Sequence, residues 1–252
     1  PWMKSEYRQL QPGNTQLSKQ KELIAALLGQ LPRHKSFHVT FDSANDYILP
    51  YRWLGYRYEP EFSYRLTDLC DTDALYAALN KTAKKNIKAA RNKTTLVEQP
   101  TAKMLMDLLD KTFGAQGRKW PHDRDLTRRI IEKSVENGHG KLIVARDPEG
   151  NLHSGAFLLY DEKVCYYLLG GSDSAFRSSG AQSLVLWEAI RFAATVSQAF
   201  DFEGSNVEGI ENFFRQFGSG RVTNYCVIKQ SFFADCLAMA KPRVKKLLGY
   251  KI

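Results

Sequence analysis

Apolar residues at Leu17, Leu23, Ile24, Leu27 and Leu28 recur at helical spacing and predict a helix over 17–28, which Pro32 ends. Phe37-His38-Val39-Thr40-Phe41 then alternates as a half-buried strand does, and the polar run from Asp42 to Asp46 breaks it. An aromatic-rich stretch from Ile48 to Tyr58 contains Gly55, and strand character resumes from Phe62 to Leu66. The same order returns later: a helix over 180–195, a strand at Phe200 to Phe202, a short helix over 206–217 and a strand over 225–228. Phe41 leads Gly55 by nearly the distance at which Phe202 leads Gly218. Two related α/β halves account for this recurrence.

Between these segments, Asp73 is expected to cap a helix that carries Leu75, Leu79, Ala83, Ile87 and Ala90 on one stripe. Lys81, Lys84, Lys85, Lys88 and Arg91 fall on its other faces. That pattern has two readings, a solvated connector helix and a landing strip for tRNA or another polyanion. A strand at Thr95 to Val97 follows, then helices over 102–113 and 123–135. The joining segment Gly117 to Pro121 places Lys119 and Trp120 either at an acceptor cleft or, for Trp120, in a gap beside a sheet. Strands at 142–145, 154–160 and 164–169, separated by turns at 147–150 and 161–163, form a meander.

These elements predict an α/β protein with a mixed sheet flanked by helices. Its expected divisions are a partial first half (1–70), a connector helix (71–93), a main domain (94–230) and a C-terminal helix (231–252). The last is basic and amphipathic, interrupted at Pro242, and reads as packed on the domain or touching a membrane surface.

The loop between the last meander strand and the 180–195 helix carries the strongest chemical signal. Gly170, Gly171, Ser178, Ser179, Gly180 and Ala181 are small, and the amides that open a helix lack intrahelical partners. With the positive end of the macrodipole there, the junction suits a phosphate, and Arg177 adds a forked charged donor. On this reading Gly180→Val abolishes donor binding and leaves the fold intact.

Composition narrows the class only modestly. The 252 residues are 43% hydrophobic and 25% charged, which fits a folded globular chain and excludes disorder as the ruling state. The formal net charge of +9 favours anionic partners. Cys70, Cys165, Cys226 and Cys236 form no CxxC pair, and His34, His38, His122, His139 and His153 form no HExxH pair. The sequence thus points to reduced packing cysteines in a cytoplasmic protein and away from a metal site. No apolar run reaches the length of a bilayer span. The chain begins at Pro1, so a preceding targeting segment stays open.

Arg177-Ser178-Ser179-Gly180-Ala181-Gln182 resembles the pyrophosphate loop of the GNAT acyltransferase superfamily, Q/R-x-x-G-x-G/A, with Gln182 in place of the last small residue. Asn206 through Phe213 to Gly218 is similar to that superfamily's segment after the following strand. Tyr167-Leu168-Leu169-Gly170-Gly171, Phe202-Glu203-Gly204-Ser205 and Phe213 to Gly218 together resemble the FemAB-like branch, whose best understood members are peptidoglycan aminoacyl transferases. The resemblance implies transfer of an acyl or aminoacyl group to an amine. Its donor would be acyl-CoA or aminoacyl-tRNA, its acceptor a small molecule or cell-wall precursor, and no metal is required.

Such a transfer needs a neutral amine, a stabilised oxyanion and a protonated leaving group. Alternation over 200–203 puts Phe200 and Phe202 on one face and Asp201 and Glu203 on the other, so Glu203, with Asp201 second, is the expected base once burial raises its pKa. Alternatively Glu203 only shapes the turn after it. Tyr166 and Tyr167 lie on opposite faces of their strand, and one of them is expected to protonate the leaving group. Resemblance further implies that amides near Leu169, Gly170 and Gly171 polarise the acyl carbonyl. Two other classes remain beside the enzyme: a basic RNA-binding module and a non-catalytic scaffold of the same fold.

Overall fold

The computed structural model describes residues 13–32, 34, 36–204 and 207–230. The expected C-terminal helix, Cys236, Ser205 and Asn206 lie outside the described residues. The chain divides into two compact units, one of residues 1–62 and 223–252, the other of residues 63–222.

In the first unit, α1 (Asn14–Gly29) and the short α2 (Leu49–Trp53) accompany β1 (Ser36–Phe41) and the beginning of β2 (Arg57–Leu66). The last part of β8 (Gly220–Gln230) joins them, pairing antiparallel with β1 so that Thr40 faces Cys226 and Phe41 faces Tyr225. Alternation on β1 turns Phe37 and Phe41 toward Ile24, Tyr51, Tyr56 and Val227, the unit's apolar cluster. The aromatic stretch is therefore a one-turn helix whose left-handed Gly55 leads into β2.

The second unit holds the end of β2, then α3 (Thr72–Ala78), α4 (Lys81–Lys93), β3 (Thr95–Leu96), α5 (Ala102–Gly114) and α6 (Arg124–Glu136). Next come β4 (Gly140–Arg146), β5 (Leu152–Tyr160), β6 (Val164–Ser172), α7 (Ala181–Val196), β7 (Ala199–Asp201) and α8 (Glu208–Phe214). Its sheet runs in the order β2-β7-β6-β5-β4-β3, antiparallel except for the β6–β7 pair.

Helices cover both faces of this sheet, so β4 and β5 are near-continuous apolar runs. Ile143, Ala145, Ala156 and Leu158 face a cluster made with α4, α7 and α8; Leu142 and Phe157 face α5 and α6. Helix α7 is buried almost all round, with Ala181, Leu184, Leu186, Trp187 and Ile190 each under 5% exposed. Such a helix must be covered on its outer side, and α4 supplies the cover through Ala83, Ile87 and Ala90. Burying Ile87 alone contributes about 1.5–3 kcal/mol.

The single helix expected from Asp73 is two helices. Asp71, not Asp73, is the cap, accepting from the amides of Asp73 and Ala74 at 3.0 and 2.9 Å. The chain leaves helical geometry at Leu79 (φ −58°, ψ 142°), and Asn80 starts α4 by accepting from the Ala83 amide at 2.8 Å. Asp73 instead sits in the first turn, where a negative charge meets the positive end of the helix.

Candidate active site

Strands β6 and β7 share three residue pairs, the last being Tyr166 with Asp201. Beyond it β7 ends, while β6 continues to Ser172. An antiparallel partner satisfies the backbone groups on only one edge of a strand, so those of β6 that turn away from β5 face the space β7 has left. Beyond Tyr166 those groups have no partner in β7.

A β-bulge sets which face each side chain of this stretch takes. Leu158 pairs with Tyr167 and Phe157 with Leu169, which leaves Leu168 as the extra residue. Cys165 and Tyr167 face the α7 cluster, whereas Leu169 beyond the bulge faces the α5 cluster. Unbroken alternation would put all three on one face. The inversion brings Gly170 onto the Tyr167 side, and a Cβ on Gly170 would overlap the Tyr167 hydroxyl, with Cζ only 2.5 Å away. Gly170 thus lets the phenol lie against the strand's backbone. Burial pushes the Tyr167 hydroxyl up to about 12, which keeps its proton in place at neutral pH. Such a group can donate a proton to a departing thiolate or alkoxide. Tyr166 lies on the other face beside Asp201.

Asp201 is 2% exposed. Arg65 donates to Oδ2 through Nε at 2.9 Å and Nη2 at 2.6 Å, Ser63 Oγ donates to Oδ1, and the Glu203 amide donates to Oδ1 at 2.8 Å. Both carboxylate oxygens are thus engaged, one of them by a guanidinium. This network ties the residue expected as a second base to β2 at the end of β7.

Glu203 also departs from the expected strand. It is exposed, and its φ of 60° makes it the one non-glycine residue with positive φ among the described residues. Holding a residue with a side chain there costs on the order of 1–3 kcal/mol, offset here by the bond from its amide to Asp201. The carboxylate stands at the exposed end of β7 and lacks the burial that the sequence reading required.

The small-residue loop is more ordered than expected. Gly170 and Gly171 belong to β6, and a Cβ on Gly171 would meet the α5 backbone at Leu108 and Leu109 at 2.8 Å. Thr112 Oγ1 accepts from the Ser172 amide at 2.7 Å. Ser174–Ser179 forms a 3-10 turn with Arg177 and Ser178 exposed and Ser179 buried. At the head of α7, Gly180 has φ 78°, and a Cβ there would lie 2.9 Å from the Asn86 carbonyl carbon and closer still to its oxygen. The Ala181 amide donates to Ser179 Oγ at 3.2 Å. Gly180 is therefore needed for α7 to touch α4, so the expectation that Gly180→Val spares the fold is corrected. The helix's first amide is held by the protein itself.

Trp120 packs its ring against the α5–α6 cluster, 5.1 Å from Phe113 and 4.9 Å from His122, and its Nε1 is buried. Trp120 is half-buried there, with Lys119 exposed next to it. Sequence reasoning missed Tyr64, whose buried hydroxyl donates to Glu211 on α8, itself 3.0 Å from Arg215 Nε. The bond to Glu211 raises the Tyr64 pKa. Cys165 is a packing thiol pushed up to about 12 by burial, while Cys70, expected to pack, is exposed.

In this second unit a bulged β6 outruns its parallel partner β7, and α7 opens on a glycine. The sequence model described as an acetyltransferase (GNAT) domain matches residues 77–215, more than half of the chain, and the protein belongs to that family of acyltransferases. Its fold is similar to the crystal structure of FemX (TM-score 0.65, 15% identity, 88% of this chain and 77% of that one). It is also similar to the C-terminal domain of a putative lysylphosphatidylglycerol synthetase from Agrobacterium fabrum (TM-score 0.53, 14% identity, 91% and 78%). A tandem GNAT protein from the clavulanic acid biosynthesis pathway shares the fold as well (TM-score 0.52, 10% identity, 85% and 68%). No curated protein matches the sequence. Among the described residues no helix is long and apolar enough to cross a membrane.

Proposed function

We propose that the protein moves an acyl or aminoacyl group from a phosphate-bearing donor to an amine, with the acyl carbon seated where β7 leaves β6. The observation that carries this reading is the Tyr167 hydroxyl, held protonated against Gly170 on the part of β6 that outruns β7. Outward backbone amides of β6, among Leu169 to Gly171, would hold the developing oxyanion. The amine nitrogen attacks the carbonyl carbon, the bond to sulfur or oxygen breaks, and Tyr167 gives its proton to the leaving atom. Glu203 at the end of β7 takes the proton that the amine loses, and solvent restores Tyr167.

Acyl-CoA is the first donor, in keeping with the GNAT family, and its phosphates would meet exposed Arg177 and Ser178. Aminoacyl-tRNA is the second, favoured by exposed Lys81, Lys85 and Lys88 along α4, the helix laid across the head of α7. Either donor places the reaction in the cytoplasm. The acceptor is a small-molecule amine or the amine of a cell-wall precursor, met near Lys119. In this reading residues 1–70 are the reduced first half, 71–93 the connector, 94–230 the catalytic half, and the segment from 231 to 252 a contact to the domain or a membrane surface.

Purified protein offered a panel of acyl-CoAs and charged tRNAs with amine acceptors should form an amide with one donor class, read by mass spectrometry. Tyr167→Phe should lower kcat about 100-fold and leave donor affinity unchanged. Transfer from neither class, or an unchanged kcat in Tyr167→Phe, would sink the proposal.

A further inference from the structure

The first unit carries a polar constellation separate from the β6–β7 opening. On β1 the alternation that sends Phe37 and Phe41 to the apolar cluster sends His38 and Thr40 to the opposite side. The antiparallel register sets Cys226 directly across from Thr40. Glu61 comes from β2, whose neighbour in the sheet is β8. One donor atom each from His38, Glu61 and Cys226 lies within 4.8 Å of the others, the one such group of three among the described residues.

Three further observations bear on the cluster. Cys226 is 1% exposed, so its sulfur is shielded from bulk water, while His38 is exposed and leaves one side accessible. Thr40 Oγ1 donates to Glu61 Oε2 at 2.9 Å and Thr40 pairs directly with Cys226 across the ladder, which holds the Glu61 carboxylate on the Cys226 side before any ligand arrives. Asn224, two residues along β8 and on the Cys226 side, has a buried Oδ1 with no hydrogen-bond donor. An orphaned acceptor beside the cluster calls for a proton-bearing group there, such as water on a cation.

We propose that His38, Glu61 and Cys226 bind a divalent cation of the zinc class, with a fourth position left to water. Imidazole nitrogen, carboxylate oxygen and thiolate sulfur are the three donor types that zinc accepts, whereas the hard cations magnesium and calcium do not take sulfur. Bonds of about 2.0–2.3 Å require the donor atoms to draw together slightly. The side chains of exposed His38 and half-buried Glu61, on the two strands that flank β8, can rotate to do so. Binding displaces the thiol proton to solvent and clamps β1, β8 and β2 together. The cluster lies on strands that the transfer reaction does not use, so the inference stands independently of the proposed activity.

The test uses the full chain, stripped with a chelator and titrated with Co2+ and then Zn2+. The expected result is one equivalent of Co2+ with thiolate-to-cobalt charge-transfer absorption, bleached by Zn2+, and a rise in Tm with Zn2+. His38→Ala, at an exposed position that should not disturb folding, should weaken Co2+ binding by more than about tenfold. Cys226→Ser should remove the absorption band while far-UV circular dichroism stays native, and Thr40→Val should weaken binding by about tenfold. A native chain without the band overturns the proposal. So does a band that persists in Cys226→Ser, or Co2+ affinity unchanged in His38→Ala.

Discussion

Two stretches of the chain repeat one order of elements, α1-β1-α2-β2 and α7-β7-α8-β8, and each opens on a glycine before its first helix. Gly13 has φ −64° and nothing within 4 Å of a virtual Cβ; Gly180 has φ 78° and abuts Asn86. The strands differ in the same sense. β1 sits at the end of its sheet with β8 alone beside it, whereas β7 has a parallel partner that outruns it. What distinguishes the second stretch, and what the proposed function uses, is thus the meander that precedes it, which gives β7 a longer, bulged neighbour. The repeated elements alone make a scaffold.

The glycines give the sharpest way to break this comparison. Gly180→Val forces a branched side chain into the left-handed region and into the α4 backbone, and should cost about 4 kcal/mol or prevent folding. Gly13→Val should cost at most about 1 kcal/mol, since the cap amide keeps its bond to Gln16 Oε1 at 3.0 Å. Urea midpoints of the two variants are the measurement. Equal losses would mean that α7 and α4 do not meet as described.

A second contrast lies one residue before the matched phenylalanines, at Thr40 and Asp201. Exposed Thr40 meets Glu61 on β2, and buried Asp201 meets Arg65 on the same strand. Asp201→Ala removes the carboxylate from a guanidinium whose side chain is only 13% exposed and should cost about 3 kcal/mol. Thr40→Val should cost under about 1 kcal/mol. Replacing the pair together, Asp201→Leu with Arg65→Met, should recover most of the loss, because the penalty belongs to the buried charge that has lost its carboxylate. If the double variant is as unstable as Asp201→Ala, the network does more than neutralise Arg65.

The sequence showed the period of each buried element plainly, since Ile143, Ala145, Ala156 and Leu158 had to alternate with Leu142 and Phe157 for a sheet covered on both sides. The features it hid all depend on a second segment. The Leu168 bulge is a mismatch in register against β5, and a run such as Tyr166-Tyr167-Leu168-Leu169 reads as unbroken alternation until its partner is laid beside it. Gly180 looked like a phosphate residue because Asn86, which explains it, lies on another helix. The break at Leu79 had a local sign in Asn80, a good capping residue that the apolar stripe on both sides overrode. Glu203 failed as a strand residue because Asp201 draws its amide back, a bond that an alternating pattern does not encode.

The smallest expected difference concerns the glycines that close the two short helices. Gly55 (φ 81°) and Gly218 (φ 74°) hold the same left-handed geometry, which costs a residue with a Cβ about 1–2 kcal/mol wherever it occurs. Around Gly55 a methyl group would meet only the Lys229 ammonium at 4.0 Å, the far end of a side chain that can yield. At Gly218 it would press on Ala78 at 3.2 Å from Cβ and 3.3 Å from the carbonyl oxygen, where the end of α3 gives way less readily. Gly55→Ala should therefore cost about 1 kcal/mol and Gly218→Ala about 2 kcal/mol. Their difference isolates the contact from the backbone term that both share. Thermal melts showing Gly218→Ala the milder of the two would mean that the turn after α8 does not rest on α3.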